Sequence, residues 1–265
     1  MSVSTVSDLL TLDVIGGVAT IRLQRTAARN ALDMALKGAL AAAIEEAAER
    51  EDVRAVLLTG AGDAFCAGGD IVEMALNDTP VRSRARLRRL LDTIFVPLAE
   101  MEKPTIAAVN GHAHGAGLSL ALACDLVIAA EDAQLSCAFS KVGLIPDCGA
   151  LYFLSRRLPA HVVKDLVFTG RRMSAAEGAE LGLINRVVPR EQLDDVADTL
   201  ARQLAEGPTV AYGMTKTLLA RAHHLSLHDL SEFEAFGQAV AYATEDHLIA
   251  RQAFSQKSIP SFVGR

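Results

Sequence analysis

Along the chain, apolar positions switch repeatedly between the two-residue repeat of a strand and the three-to-four-residue repeat of a helix. Residues 9–15 and 18–23 form β-rich runs on either side of Gly16-Gly17, a two-residue hairpin turn. Asp33 stands where an N-cap is expected, and Leu36, Leu40 and Ile44 follow on one helical face. Strands are expected at 53–59, 105–109 and 126–129, with a buried helix at 118–124. Strands alternating with helices predict an α/β core. After about residue 150 the pattern turns helical. Ser174 and Glu177 have capping-box spacing, residues 183–188 read as a strand-like break, and helices are expected at 191–205, 209–222, 227–241 and 245–255. The reading is an α/β core over residues 1–200 and a helical C-terminal region over 201–265, of a kind that often packs on a neighbouring subunit.

Composition narrows this picture. The chain has 265 residues, 51% hydrophobic and 22% charged, with no tryptophan, so Ala, Leu, Val and Ile must fill the core. A formal net charge of −6 argues against a nucleic-acid partner. No apolar run approaches the roughly 20 residues of a membrane span. The polar first residues lack the apolar core of a secretory leader. The four cysteines (Cys66, Cys124, Cys137 and Cys148) form no CxxC, and free thiols fit a reducing cytoplasm. No His/Cys/carboxylate cluster has metal-ligand spacing, so no metal is expected.

Two glycine-rich stretches share one design. The first, Ala64-Phe65-Cys66-Ala67-Gly68-Gly69-Asp70-Ile71, follows a strand and precedes a helix at which Asp70 and Glu73 have capping-box spacing. The second, Asn110-Gly111-His112-Ala113-His114-Gly115-Ala116-Gly117, connects the strand at 105–109 to the helix at 118–124. Taken singly, each also reads as an ordinary tight turn. Facing each other, they would present two backbone N–H groups at helix starts, where developing negative charge is favoured. Neither is a dinucleotide fingerprint or a P-loop.

Several motifs in order carry a resemblance. Arg29-Asn30-Ala31-Leu32, the segment 65–71, the segment from Lys103 through Asp125, Gly143-Leu144-Ile145-Pro146-Asp147, Thr169-Gly170-Arg171, Gly182-Leu183-Ile184-Asn185 and the ending from Phe254 to Arg265 together resemble the enoyl-CoA hydratase/isomerase (crotonase) superfamily over nearly the whole chain. The resemblance implies a spiral of ββα repeats with a helical C-terminal trimerisation region. It also implies acyl-CoA thioester substrates, no separate cofactor, and homotrimers or hexamers built from trimers. By position, Gly69 and Ala116 would donate the two N–H groups of an oxyanion hole. Relatives commonly have Gly at the second place, and Ala supplies the same N–H. Ala67, Gly68, Asp70 and Ile71 would line the coenzyme A groove and Arg29 would lie near its phosphates, while Thr26 replaces a frequent proline.

Hydratases of this family use two glutamates. Aligned on the landmarks, Ser119 and Phe139 stand at those positions, and neither replaces a carboxylate. Asp147 remains at a family-relevant place, as in isomerases that move a proton from C2 to C4 with a single base. Ring-isomerising enzymes of the phenylacetate pathway look similar at this loop, and some family dehalogenases carry a nucleophilic aspartate there. Leu144, Ile145, Phe139 and Leu118 are the expected apolar neighbours that would raise the Asp147 pKa by desolvation. The alternative is that Asp147 caps the helix after Cys148. His114 and Ser119 are candidate substrate contacts. His114 otherwise reads as a packing or hydrogen-bonding residue, the role of His112 stays open, and Cys148 has no activating neighbour in sequence. Arg82, Arg84, Arg86, Arg88 and Arg89 read as a solvated face or a landing site for phosphates or an acidic partner, with Leu87, Leu90, Leu91 and Ile94 as the buried side. The reading is an enoyl-CoA isomerase. The alternatives are a hydratase with an atypical acid/base pair and an acyl-CoA binding protein without catalysis.

Overall fold

The computed structural model describes residues 2–74 and 79–265. The segment after Met74, expected to shape the pocket, includes residues 75–78, which lie outside the described residues.

The first half of the chain runs β1 (Ser2–Ser7), β2 (Leu10–Ile15), β3 (Val18–Leu23), α1 (Met34–Glu49), β4 (Ala55–Gly60), β5 (Ala64–Cys66), α2 (Ile71–Met74), α3 (Pro80–Leu90) and α4 (Val96–Glu100). It continues through β6 (Thr105–Val109), β7 (His112–His114), α5 (Ala116–Ala123), β8 (Leu126–Ala130) and β9 (Gln134–Ser136). Then come α6 (Ala150–Arg157), α7 (Ala160–Thr169), β10 (Met173–Ser174), α8 (Ala175–Glu180) and β11 (Arg186–Val188). The helices α9 (Leu193–Ala205), α10 (Thr209–Ala222), α11 (Leu227–Tyr242) and α12 (Glu245–Gln256) complete it.

Two sheets result, with orders β1-β2-β3-β4-β6-β8-β11 and β10-β9-β7-β5. The pairs β4/β5, β6/β7 and β8/β9 each give one strand to the large sheet and the next to the small one, and like strands of successive pairs lie side by side. This is the ββα spiral. Every residue of β4 and β6 is buried, as parallel strands covered on both faces must be. All eight residues of α5 are buried, because the helix is wedged against β5, β6, β7 and β8.

Most expected elements stand within a residue or two of their places. Asp33 caps α1, accepting the Leu36 N–H at 2.8 Å. Ser174 caps α8, but Glu177 pairs with Arg171 at 2.7 Å instead of closing the box. The break at 183–188 shortens to β11. The boundary expected at residue 200 falls inside α9, where buried Ala197, Ala201 and Ala205 fix the helix to the core strands. The small sheet and β1 had no counterpart in the sequence reading. Among the described residues no helix is long and apolar enough to cross a membrane.

Candidate active site

The first glycine turn is built by the segment before α1. Arg29 and Asn30 both adopt left-handed backbone, with φ of 50° and 57°. The reversal brings the Arg29 carbonyl to the Ala67 N–H at 3.0 Å. Leu32 then bridges the turn, its N–H donating to Gly68 O at 2.7 Å and its carbonyl accepting the Asp70 N–H at 3.2 Å. In a parallel bridge of this kind the N–H of the intervening residue, Gly69, points the other way. Below the turn, Asn30 Nδ2 donates to the carbonyls of Ala61 (3.0 Å) and Ala64 (2.7 Å). Asn110 accepts from Gly60 N–H and donates to Gly62 O.

The second turn joins β7 to α5. Gly115 precedes the helix and Ala116 opens it, so the Ala116 N–H is one of the donors a helix start leaves unpaired. The two turns lie against each other because β5 pairs with β7. A Cβ on Gly68 (φ 101°) would stand 2.7 Å from His114 O and 3.5 Å from Ala116 N, so this position takes no side chain.

Between the turns and the loop after β9 lies a cavity of about 180 Å³. Its wall includes Ala67, Gly68, Gly69, Asp70, Ile71, His114, Ala116, Phe139 and Asp147, which the sequence reading had grouped, together with Lys37 and Glu73, which it had not. Two of the expected contacts do not line the cavity. Ser119 is 0% exposed and stands behind the wall, where its hydroxyl reaches the carbonyls of Gly115 and Asp147, each at 3.4 Å. Arg29 lies outside the wall, its exposed side chain 4.0 Å from Asp63, which leaves it open to the phosphates of a bound coenzyme A.

Three carboxylates line the cavity, and two are occupied. Asp70 meets Arg25 at 2.7 Å and the Val72 N–H at 2.9 Å, and the guanidinium holds its carboxyl below the usual range. Glu73 accepts the Met34 N–H at 2.6 Å and pairs with Lys37 at 3.2 Å, so it ties α2 to α1 instead of closing a capping box with Asp70. Asp147 has no ion pair among the described residues. Burial pushes its carboxyl up from the usual 3.8, opposed by the Cys148 thiol and the charge of Lys37.

The Asp147 side chain does not cap α6. The helix follows Gly149 with no side-chain cap, and the Asp147 backbone carbonyl takes the Ala150 N–H at 2.9 Å. Of the expected apolar neighbours, Phe139 and Leu144 share the wall with Asp147. Ile145 is 80% exposed and Leu118 is buried in the core, so neither lines it. Burial and Asp147 push the Cys148 thiol far up, which removes it as a thiolate.

His114 Nδ1 meets the Ser136 hydroxyl at 2.8 Å, and His112 stacks at 5.3 Å. Burial, then His112, drive the His114 pKa down to about 4, so the ring is neutral near pH 7. On α3, Arg82, Arg84, Arg88 and Arg89 face solvent, as the solvated-face reading has it. Of the expected apolar side, Ile94 is buried and Leu90 and Leu91 pack partly buried against the core, while Leu87 is exposed; Arg86, Leu87 and Leu90 line the cavity. Among the described residues no group of three or more His, Cys, Asp or Glu could hold a metal ion. A larger cavity, about 790 Å³, lies beside α6 and α10 and contains neither turn.

The sequence pattern described as "Enoyl-CoA hydratase/isomerase" matches residues 13–265. The chain belongs to the enoyl-CoA hydratase/isomerase family. It is 37% identical to the 1,2-epoxyphenylacetyl-CoA isomerase of Escherichia coli (strain K12), over 94% of this chain and 96% of that one. It is 33% identical to the carnitinyl-CoA dehydratase of Salmonella agona (strain SL483), over 98% of this chain and all of that one. A crystal structure of enoyl-CoA hydratase subunit I from Geobacillus kaustophilus HTA426 superposes with a TM-score of 0.91 at 35% identity, covering 97% of this chain and 98% of that one. As a member of the enoyl-CoA hydratase/isomerase family, the protein is an acyl-CoA enzyme with the crotonase fold.

Proposed function

We propose that this enzyme is an isomerase. The Gly69 and Ala116 N–H groups hold the thioester oxygen, and Asp147 removes a proton from C2 and returns it elsewhere on the acyl group. The observation that carries the reading is Asp147 itself. Of the three carboxylates in the wall, it is the one left without a cation, in surroundings that favour its protonated form. A base with a raised pKa gives back the proton it takes, which a 1,3-shift requires and a fully ionised aspartate does poorly. Ser119 and Phe139, at the positions of the hydratase glutamates, bring no second carboxyl to the substrate. The acyl group is an enoyl chain shifting between Δ3 and Δ2 or a ring, as the name of the Escherichia coli relative suggests. Coenzyme A enters as part of the substrate and no further cofactor is needed. The enzyme works as a homotrimer or hexamer in the cytoplasm.

The dehydratase relatives favour a second reading, in which Asp147 and Glu73 share hydration. Two parallel assays separate them. With 3-enoyl-CoA and with 1,2-epoxyphenylacetyl-CoA, isomerisation yields a product of unchanged mass. Addition of water to 2-enoyl-CoA as the faster reaction would establish the hydratase, and tight binding with no turnover of any of the three would exclude both.

A further inference from the structure

Ser136 ends β9, is 4% exposed, and touches the second turn twice. Its carbonyl accepts the Gly115 N–H at 2.9 Å, and its hydroxyl meets His114 Nδ1 at 2.8 Å. These bonds flank a soft point in the backbone. Gly115 sits at φ 53°, ψ −118°, outside the regions open to other residues. A rotation there swings the next peptide plane, and that plane carries the Ala116 N–H. The direction of the donor therefore depends on what grips His114 and Gly115.

Counting protons defines the grip. Among the described residues the buried Ser136 hydroxyl has no acceptor other than His114 Nδ1. A buried hydroxyl donates where it can, so Ser136 is the donor and His114 is the tautomer with its proton on Nε2. Protonation of Nδ1 would leave the hydroxyl proton without an acceptor. Burial and the neighbouring His112 keep the ring neutral.

We propose that Ser136 is a positioning residue for catalysis: by holding Gly115 through its carbonyl and His114 through its hydroxyl, it sets the angle at which the Ala116 N–H meets the thioester oxygen. This rests on Gly69 and Ala116 being the donor pair, and not on which proton moves afterwards.

The test uses the full-length enzyme and hexanoyl-CoA carrying ¹³C at the thioester carbonyl. Infrared difference spectra report polarisation of the bound carbonyl, calorimetry reports binding, and deuterium uptake at C2 of 3-hexenoyl-CoA reports enolate formation. For Ser136→Ala the expected result is a smaller downshift of the carbonyl band and exchange slowed about 10- to 100-fold, less than or equal to the loss of a whole donor, with Kd within about twofold. Ser136→Thr keeps the hydroxyl and restores the band. A wild-type downshift and exchange rate in Ser136→Ala would overturn the proposal. So would parallel losses of binding, thermal midpoint and downshift that Ser136→Thr does not avoid. An unshifted carbonyl in the wild-type enzyme would instead overturn the donor pair, and the proposal with it.

Discussion

At the residue scale the account turns on how one aspartate is kept unlike its neighbours. Asp70 and Glu73 are spent on Arg25, Lys37 and backbone N–H groups, while Asp147 is half-buried in the cavity wall with Phe139 and Leu144. Its raised pKa means that the fold binds a proton there more tightly than the unfolded chain does. The charged form therefore costs stability at pH above the folded pKa, and that cost disappears as pH falls through it. Asp147→Asn should accordingly abolish at least 99% of turnover, in line with the usual worth of a general base, while the thermal midpoint at pH 7 holds or rises. A fall in midpoint matching the loss of turnover would make Asp147 structural. The wild-type rate should drop with acid on a limb lying above pH 3.8. Lys37→Gln removes a charge that favours the carboxylate and frees the Glu73 carboxylate, so the limb should move to higher pH in a pH–rate profile. Asp147 was legible in the sequence because an ordered set of landmarks surrounds it. Lys37 was not, because helical periodicity marks Leu36 and Leu40 and leaves the lysine between them reading as solvent-facing.

At the scale of elements, the long strands and helices were legible and the small sheet was not. β5, β7 and β9 are three residues each, too short to show a period, and they exist because each extends from a longer strand of the large sheet. The glycine turns could be placed between strand and helix, but their facing geometry depends on pairs far apart in sequence. Asn30 and Asn110 are the clearest case. Both amides converge on the carbonyl of Ala64, from 34 and 46 residues away, and nothing local in the sequence signals it. Asn30→Ala removes two hydrogen bonds, leaving the Ala64 carbonyl to Asn110 and the half-buried Ala61 carbonyl without its amide partner, and should lower unfolding free energy by about 1–3 kcal/mol in urea titrations. It should also slow turnover more than it weakens binding, because the turn it supports carries Gly69. Unchanged turnover at saturating substrate would separate this asparagine from the site.

At the scale of the whole molecule, the C-terminal helices are unfinished as a single chain. α11 has no buried residue, and Phe233, Phe236, Val240 and Tyr242 on it are exposed, with Leu227 at its start. Apolar surface of this extent is what association covers. Sedimentation velocity should show trimers or hexamers for the wild type, and Phe236→Glu with Val240→Glu should shift the distribution toward the monomer. A wild-type monomer at micromolar concentration would contradict the oligomeric reading. The helical character of residues 201–265 was legible from periodicity. Which face stays open was not, because a helix that is buried only on assembly has the same apolar repeat as one buried in its own chain.

The central claim is a single-base proton shift on an acyl-CoA thioester. Mass spectrometry in deuterated water, with 2-enoyl-CoA and 3-enoyl-CoA side by side, tests it most directly. The account predicts interconversion of the two isomers with no gain of the mass of water, with deuterium entering at the carbons that exchange protons, and with both lost in Asp147→Asn. Water added to the 2-enoyl substrate as the main product, or isomerisation that survives in Asp147→Asn, would contradict it.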